Sequence, residues 1–540
     1  MFPVKIEGAV AKQPLFSYKP FILPPNLKKM DKLRNLPVGR QYFSGIREDG
    51  AIYVDKTEYI YNLCSPANSA YFLSRPRRFG KSLTLDTVNE LFNGNRALFQ
   101  GLWIEDKWDW LQTNPVIRFS LDNIEHKSGL ATALVKATNN IAHTYELTLE
   151  NTEPGSAFNE LIEKLVKKTG RQVVILIDEY DRPITDYIDP DDLTEARARR
   201  DILRDFFGIL KNASKNIRFL LLTGVAKFSK TSIFSELNHL YDLTLDGEFA
   251  AMCGYTQAEL EHYFAPYLKR MPADTLEKMK FWYDGYSWDG ETFMYNPFSV
   301  LNFFKMKKFH NFWFETGTPT FLLKLLRHRF EYKLEKIEVS DLILDSFTLE
   351  KFDQSDVASL LLQTGYLTIQ EMTDDNTFIL DYPNEEVKRA FGQLLLSQFT
   401  ETPKMATYGV DILRALRKED IGSAIKVIND LIQAVPDQNY IKNEEKFFHA
   451  IVHLIFTMIR SDVRSEVHTP IGRIDTLVMT TTRIFLFEFK VNESAEDAIK
   501  CIEDRRYAES LRYKNLPITG VGVAFSPKIK GIQEWKQKEL

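Results

Sequence analysis

The stretch Tyr71-Phe-Leu-Ser-Arg-Pro-Arg-Arg-Phe-Gly80-Lys81-Ser82-Leu83 sets Gly-Lys-Ser between an apolar run and the start of an amphipathic segment. A strand that feeds a helix through such a loop points the N–H groups of the helix N-terminus, and the positive end of its dipole, at one spot, which is the arrangement that holds phosphate. Gly80, Lys81 and Ser82 form the expected binding set: Lys81 would reach the β- and γ-phosphates and the Ser82 hydroxyl would ligate Mg2+. The usual pattern has a first glycine where this chain has Arg75, followed by Pro76. With Arg77 and Arg78 the loop is stiff but strongly cationic, so Arg75 and Arg78 are counted among the phosphate contacts. A basic surface turn is the bland alternative.

Downstream, Val173-Val-Ile-Leu-Ile-Asp178-Glu179 is an apolar strand ending in two carboxylates. In P-loop ATPases the strand beside the phosphate loop ends this way. Asp178 would hold Mg2+ through water, and Glu179 would polarise the attacking water. Phe219-Leu-Leu-Leu-Thr223 ends in a hydroxyl, and Thr223 is the candidate γ-phosphate sensor, although strands also end in Thr for solvation alone. The basic run Ala196-Arg-Ala-Arg-Arg200 reads as a solvated helix face sooner than as an arginine finger for a neighbouring subunit.

Strands expected near 71–73, 115–120, 173–177 and 218–223, alternating with amphipathic segments, predict a parallel α/β sheet. Before it, residues 1–36 carry five prolines and read as an extended arm. After Gly254 aromatics crowd the chain, including Phe281, Trp282, Tyr283, Trp288, Phe303, Phe304 and Phe312, which predicts a packed helical core. The expected domains are therefore an arm (1–36), a nucleotide-binding domain (37–250), a helical lid and connector (251–435) and a last domain (436–540). A length of 540 residues calls for three or four domains.

The net charge of −5 excludes a chain that coats nucleic acid by bulk charge, but not a local basic groove. Cys64, Cys253 and Cys501 are too scattered for a disulfide framework or a structural zinc site, and a reducing cytoplasm fits them. No run approaches the roughly 18 apolar residues that span a bilayer. No membrane partner is expected.

The last domain holds a second constellation. In Arg483-Ile-Phe-Leu-Phe-Glu488-Phe489-Lys490 the side chains of Glu488 and Lys490 share one face of a strand, while Phe485, Phe487 and Phe489 take the other. Asp475 lies on the preceding strand, in Gly472-Arg-Ile-Asp475, across a turn short enough for a hairpin. Asp475, Glu488 and the Phe489 carbonyl make an all-oxygen site suited to Mg2+ or Mn2+, and Lys490 would activate water or stabilise charge on a phosphate. Glu445 in the preceding helix would complete the site, with Glu444 almost as well placed. A later helix, Ser494 to Leu511, carries Lys500, Arg505 and Arg506 with Tyr507, which serve equally well as phosphate contacts or as a solvated face.

With these residues in place, the chain resembles a prokaryotic family that joins an AAA-like ATPase domain to a C-terminal PD-(D/E)XK nuclease-like domain. The resemblance rests on Leu36-Pro-Val-Gly-Arg, Tyr53-Val-Asp-Lys-Thr, Arg75-Pro-Arg-Arg-Phe-Gly-Lys-Ser, Ile177-Asp-Glu-Tyr-Asp181, Thr223-Gly-Val, Trp282-Tyr-Asp-Gly-Tyr, Tyr295-Asn-Pro-Phe, Thr316-Gly-Thr-Pro, Gln363-Thr-Gly-Tyr and Gly472-Arg-Ile-Asp. It implies that Arg at position 75 is the family's usual form and that Glu445 is the helix carboxylate. The chain departs from the family at Cys501, where Gln is usual six residues before Tyr507.

The expected fold class is α/β multidomain: a P-loop AAA-like parallel sheet, a helical lid and connector, and a C-terminal αβββαβ domain of the restriction-endonuclease kind. The expected activity is an ATP-dependent or ATP-regulated, metal-dependent nuclease with ATP and Mg2+ or Mn2+ as cofactors and DNA or RNA as partner. Homo-oligomeric rings are compatible with such a domain. The alternative is a nucleotide-switched scaffold whose last domain binds nucleic acid or protein without cutting it.

Overall fold

The computed structural model describes residues 33–122, 129–188, 192–227, 240–313, 337–340, 354–373, 377–400, 405–435, 451–452, 454–456, 462–469 and 472–540. Most of the expected arm, the Thr316-Gly-Thr-Pro motif, Glu444 and Glu445 lie outside them. The chain divides into two compact units that meet in sequence at Phe391 and Gly392.

The first unit is built on β1 (Ser69–Ser74), α1 (Lys81–Phe92), β2 (Val116–Ser120), α2 (Leu130–Thr144), α3 (Pro154–Thr169), β3 (Val173–Asp178), α4 (Thr194–Asn212), β4 (Ile217–Gly224) and the short β5 (Tyr241–Asp242). The five strands form one parallel sheet in the order β2-β3-β4-β1-β5. Every residue of β3 is buried, which is why its sequence is a continuous apolar run and not an alternating one. The helices read as amphipathic because one face closes on the sheet: Phe119 of β2, Phe158 of α3 and Phe206 of α4 pack ring to ring at 4.8–5.5 Å. Pro154 opens α3 and Gly170, at φ +67°, closes it.

One expectation is corrected. The strand that carries Asp178 is not next to the phosphate-loop strand, because β4 lies between them. Pairing of parallel strands is set by crossover connections, which no local pattern encodes. The consequence is that Thr223, at the end of β4, stands between the two halves of the site.

Beyond the sheet come α5 (Gln257–Tyr263), α6 (Thr275–Tyr283) and α7 (Pro297–Met306). Thr256 and Glu259 cap α5 reciprocally, and the Asn296 side chain accepts the first free N–H groups of α7 from Phe298 and Ser299. The aromatic density forms the packed core expected of it: Phe264, Tyr283, Phe303, Phe304 and Phe312 are buried in one cluster. This region is not purely helical. A small antiparallel sheet, order β6-β8-β7, is made by β6 (Ile337–Ser340), β7 (Thr368–Met372) and β8 (Thr377–Asp381), with α8 (Gln354–Thr364) ahead of β7. α9 (Glu385–Thr400) follows.

The second unit holds α10 (Met405–Arg417), α11 (Ile421–Gln433), β9 (Asp462–Thr469), β10 (Gly472–Met479), β11 (Ile484–Val491), α12 (Ala495–Asp504), β12 (Ile518–Ser526) and β13 (Gly531–Glu539). Residues 451, 452 and 454–456 are helical, so helix, three strands, helix and strand follow in the expected order. The sheet is mixed, order β13-β12-β11-β10-β9, with only β11 and β12 parallel. β13 was not expected, since its residues after Ile532 are exposed and mostly polar, as befits an edge strand. The helix expected to run to Leu511 stops at Asp504, where Arg506 turns to φ +46° and a 3-10 segment (Glu509–Lys514) follows.

Candidate active sites

In the first unit the ends of β1, β3 and β4 bring the nucleotide-site residues to one edge of the sheet. Leu73 pairs with Thr223, Ser74 with Gly224, and Ile177 with Leu222, so Asp178 and Thr223 emerge side by side. Gly80, at φ +100°, turns the chain into α1. Lys81 is buried and its Nζ donates to the carbonyls of Arg75 (2.7 Å) and Pro76 (3.1 Å). Burial lowers its pKa, against the pull of Glu179, Asp178 and Asp181. Ser82 is half-buried in the first turn of α1.

Asp178 is buried, and its Oδ1 accepts the Thr223 hydroxyl at 2.7 Å. Glu179 stands in the left-handed region at φ +52°, unusual for a residue with a side chain, and its carboxylate meets Arg182 at 3.0 Å. Arg182 also reaches Asp186 at 3.2 Å. A cleft lies here, lined by Arg77, Glu179, Asp181, Arg182, Thr185, Val225 and Ala226. A hydroxyl, a carboxylate and a buried ammonium at one sheet edge fit a triphosphate with a hard divalent cation.

Two basic assignments change. Arg75 is fully buried and donates to the carbonyls of Ser74 (2.8 Å), Thr244 (2.8 Å) and Phe249 (3.4 Å), with its guanidinium 4.2 Å from the Trp288 ring. Burial pulls its pKa down to about 10. It is a brace under the loop and cannot touch a phosphate. Arg199, expected on a solvated face, is buried against Tyr187 and paired with Glu195 at 2.7 Å. Arg78 is exposed at φ +69°, with its guanidinium 5.0 Å from the Phe298 ring.

Sequence reasoning gave no role to Asp181, although its motif was singled out. Its carboxylate is buried and accepts the N–H groups of Val225 (3.2 Å) and Ala226 (2.8 Å), while the Tyr180 hydroxyl donates to the Ala226 carbonyl at 2.8 Å. Burial raises the Asp181 pKa to about 6. These two residues tie the chain leaving β4 to the turn that carries Glu179. The spacing Asp-Glu-Tyr-Asp was the available signal.

In the second unit β10 and β11 form the expected hairpin, closed by Thr480, which accepts from Arg483 N at 3.0 Å. Thr476 pairs with Phe487, which sets Asp475 beside Glu488, and Asp475 Oδ2 accepts the Phe489 N–H at 2.9 Å. Lys490 Nζ stands 3.4 Å from Glu488 Oε1. Phe487 and Phe489 pack on the opposite face, against Phe456 and Phe525. Glu488 is 2 % exposed, and its Oε2 is buried with no hydrogen-bond partner among the described residues. Burial first, then Asp475, raises its pKa. For Lys490 burial works downward, but Glu488, Cys501 and Glu493 outweigh it and the pKa rises.

Two carboxylates, one with an oxygen that no described residue pairs, fit a hard divalent cation. Among the described residues no three His, Cys, Asp or Glu side chains close round one point, and Glu445, the expected third ligand, lies outside them. The thiol of Cys501 donates to Glu488 Oε1 at 3.0 Å. Arg505, exposed at the end of α12, donates to the Tyr507 hydroxyl at 2.8 Å, and its charge acts on Glu488. Lys500 and Arg506 are exposed. Among the described residues no helix is long and apolar enough to cross a membrane.

Comparison with known proteins matches the two domains that carry these candidate sites. Residues 37–234 match the family model described as "Predicted AAA-ATPase", and residues 443–535 match the PD-(D/E)XK nuclease superfamily. The chain is 38% identical over 509 residues to the "Uncharacterized protein in vnfD 5'region" of Azotobacter chroococcum mcd 1, covering 91% of this chain and 96% of that protein.

Proposed function

The chain belongs to the family that joins a predicted AAA-ATPase domain to a PD-(D/E)XK nuclease-superfamily domain, and from that premise we propose that it is an ATP-dependent or ATP-regulated, metal-dependent nuclease. Domains of these two kinds generally use a nucleotide and a divalent metal. The observation that carries the reading is the Asp475, Glu488 and Lys490 group, with a buried carboxylate oxygen that no described residue pairs, beside a lysine. A buried carboxylate oxygen without a partner is costly unless something binds it.

In this reading Asp475 and Glu488 hold Mg2+ or Mn2+, which supplies Lewis acidity and a more acidic water. Lys490 sits at the same edge and offers charge to the scissile phosphate. In the other unit Lys81 leaves the loop carbonyls for the β- and γ-phosphates of ATP, and Ser82 and Asp178 face its cation. Glu179 exchanges Arg182 for the attacking water, and Thr223, beside Asp178, senses the γ-phosphate. One observation favours the scaffold alternative: Cys501 occupies Glu488 Oε1 at the position where the family resemblance implies Gln.

The test is cleavage of a panel of DNA and RNA substrates with Mg2+ or Mn2+, with and without ATP, by the wild type and Lys81→Ala. Cleavage that responds to ATP in the wild type and not in Lys81→Ala supports the reading. No cleavage of any substrate in either condition overturns it in favour of the scaffold.

A further inference from the structure

A phosphate loop without its first glycine has little freedom to shape itself, because Arg75, Pro76, Arg77 and Arg78 occupy the stretch where glycine lets the chain close round an anion. Here the loop is held from outside. Trp313, fully buried, donates its indole N–H to the Arg77 carbonyl at 3.0 Å. Gly365, just past α8 at φ +86°, lies flat on Pro76, and a Cβ there would stand 2.7 Å from the proline ring.

Trp313 is itself fixed on both sides. Its backbone N–H donates to Glu386 Oε1 at 2.8 Å, and the other oxygen of Glu386 accepts the Ser299 hydroxyl at 2.7 Å. Its ring packs on Tyr366 (5.2 Å) and Tyr286 (6.4 Å). Tyr286, Asn296 as the cap of α7, and Gly365 belong to three of the motifs that mark this chain, and none of them has a place in the chemistry described above. All three lead to the same loop.

A peptide group is planar and trans, so a carbonyl held in one direction fixes the next N–H in the opposite one. Holding the Arg77 carbonyl on Trp313 therefore fixes the Arg78 N–H, in the loop that would hold phosphate, pointing away from the indole. We propose that Trp313 is a positioning residue of the nucleotide site, which sets the phosphate loop from the lid through the Arg77 carbonyl. This rests on the nucleotide reading given above.

The experiment measures MgATP binding by calorimetry and thermal melting for the full chain carrying Trp313→Phe, Trp313→benzothienylalanine, which keeps the bicyclic shape but has sulfur for N–H, and Glu386→Gln, which keeps an acceptor for the Trp313 backbone. The expected result is an affinity about tenfold weaker for both Trp313 variants, or ~1.4 kcal/mol, with Glu386→Gln close to the wild type. A merely structural role would lower the melting temperature and leave the affinity of folded protein unchanged, and that result overturns the proposal. Should Trp313→Phe fail to fold, the benzothienylalanine variant decides. A wild type that binds no MgATP removes the nucleotide reading itself, whereas wild-type binding shared by both Trp313 variants removes only the role of Trp313.

Discussion

The sulfur of Cys501 lies 3.0 Å from Glu488 Oε1, so α12 hands a thiol to the carboxylate whose other oxygen is buried and has no partner among the described residues. The family resemblance implies Gln at this position, and Gln has two donors and an acceptor where a thiol has one weak donor. Replacing Cys501 by Gln should therefore lower the KM for nucleic acid about fivefold with little change in kcat, an effect of ~1 kcal/mol. Steady-state cleavage by Cys501→Gln beside the wild type checks it, and an unchanged or raised KM would count against a positioning role for this site.

Glu179 and Arg182 are ion-paired in the cleft, and Lys81 is bonded to the loop's own carbonyls. Glu179→Gln should leave MgATP binding intact and slow hydrolysis by about 100-fold or more, as expected for loss of a general base. Lys81→Ala should abolish binding. Calorimetry and phosphate release measured on the same preparations separate the two effects, and hydrolysis surviving in Glu179→Gln would move the base elsewhere.

Glu386 is buried, its carboxylate accepts the Ser299 hydroxyl and the Trp313 N–H, and burial raises its pKa to about 8. A raised carboxyl pKa means that the folded state holds the proton that the unfolded chain has released at an ordinary value near 4.5. Stability should therefore be greatest below about pH 4.5 as far as this group is concerned, fall as pH rises, and level off above about 8, losing on the order of a few kcal/mol in all. Glu386→Gln copies the neutral acid and removes that fall. Denaturant melts of both proteins from pH 5 to 9 check it, and parallel curves would contradict it.

Arg505 is anchored by the Tyr507 hydroxyl at 2.8 Å and exposed beside the Glu488 site. If it meets a phosphate, Arg505→Ala should weaken nucleic-acid binding uniformly across sequences and reduce the slope of log K against log salt by about one. Tyr507→Phe should do part of the same. An unchanged slope would return Arg505 to the solvated face.

Both sites were legible where local periodicity carries the chemistry. The two-residue period of β11 put Glu488 with Lys490 and against the phenylalanines, and the structure keeps that division. Gly-Lys-Ser after an apolar run placed the turn into α1. What could not be read depends on distant residues. Arg75 looks like a phosphate ligand until the carbonyls of Thr244 and Phe249 reach it. The insertion of β4 beside β1 and the contact from Trp313 to Arg77 join segments far apart in the chain. The small sheet β6-β8-β7 has weak alternation, as in Thr368-Ile-Gln-Glu-Met372, and was hidden among aromatic helices.

In the nuclease reading Asp475, Glu488 and Lys490 cut a phosphodiester. Single-turnover cleavage of a substrate that the wild type cuts with Mn2+ or Mg2+, repeated with Lys490→Ala, tests it most directly. The prediction is a loss of about 100-fold or more, the size expected when one stabilising group leaves a transition state, with nucleic-acid binding retained. Equal cleavage by the two proteins would contradict it.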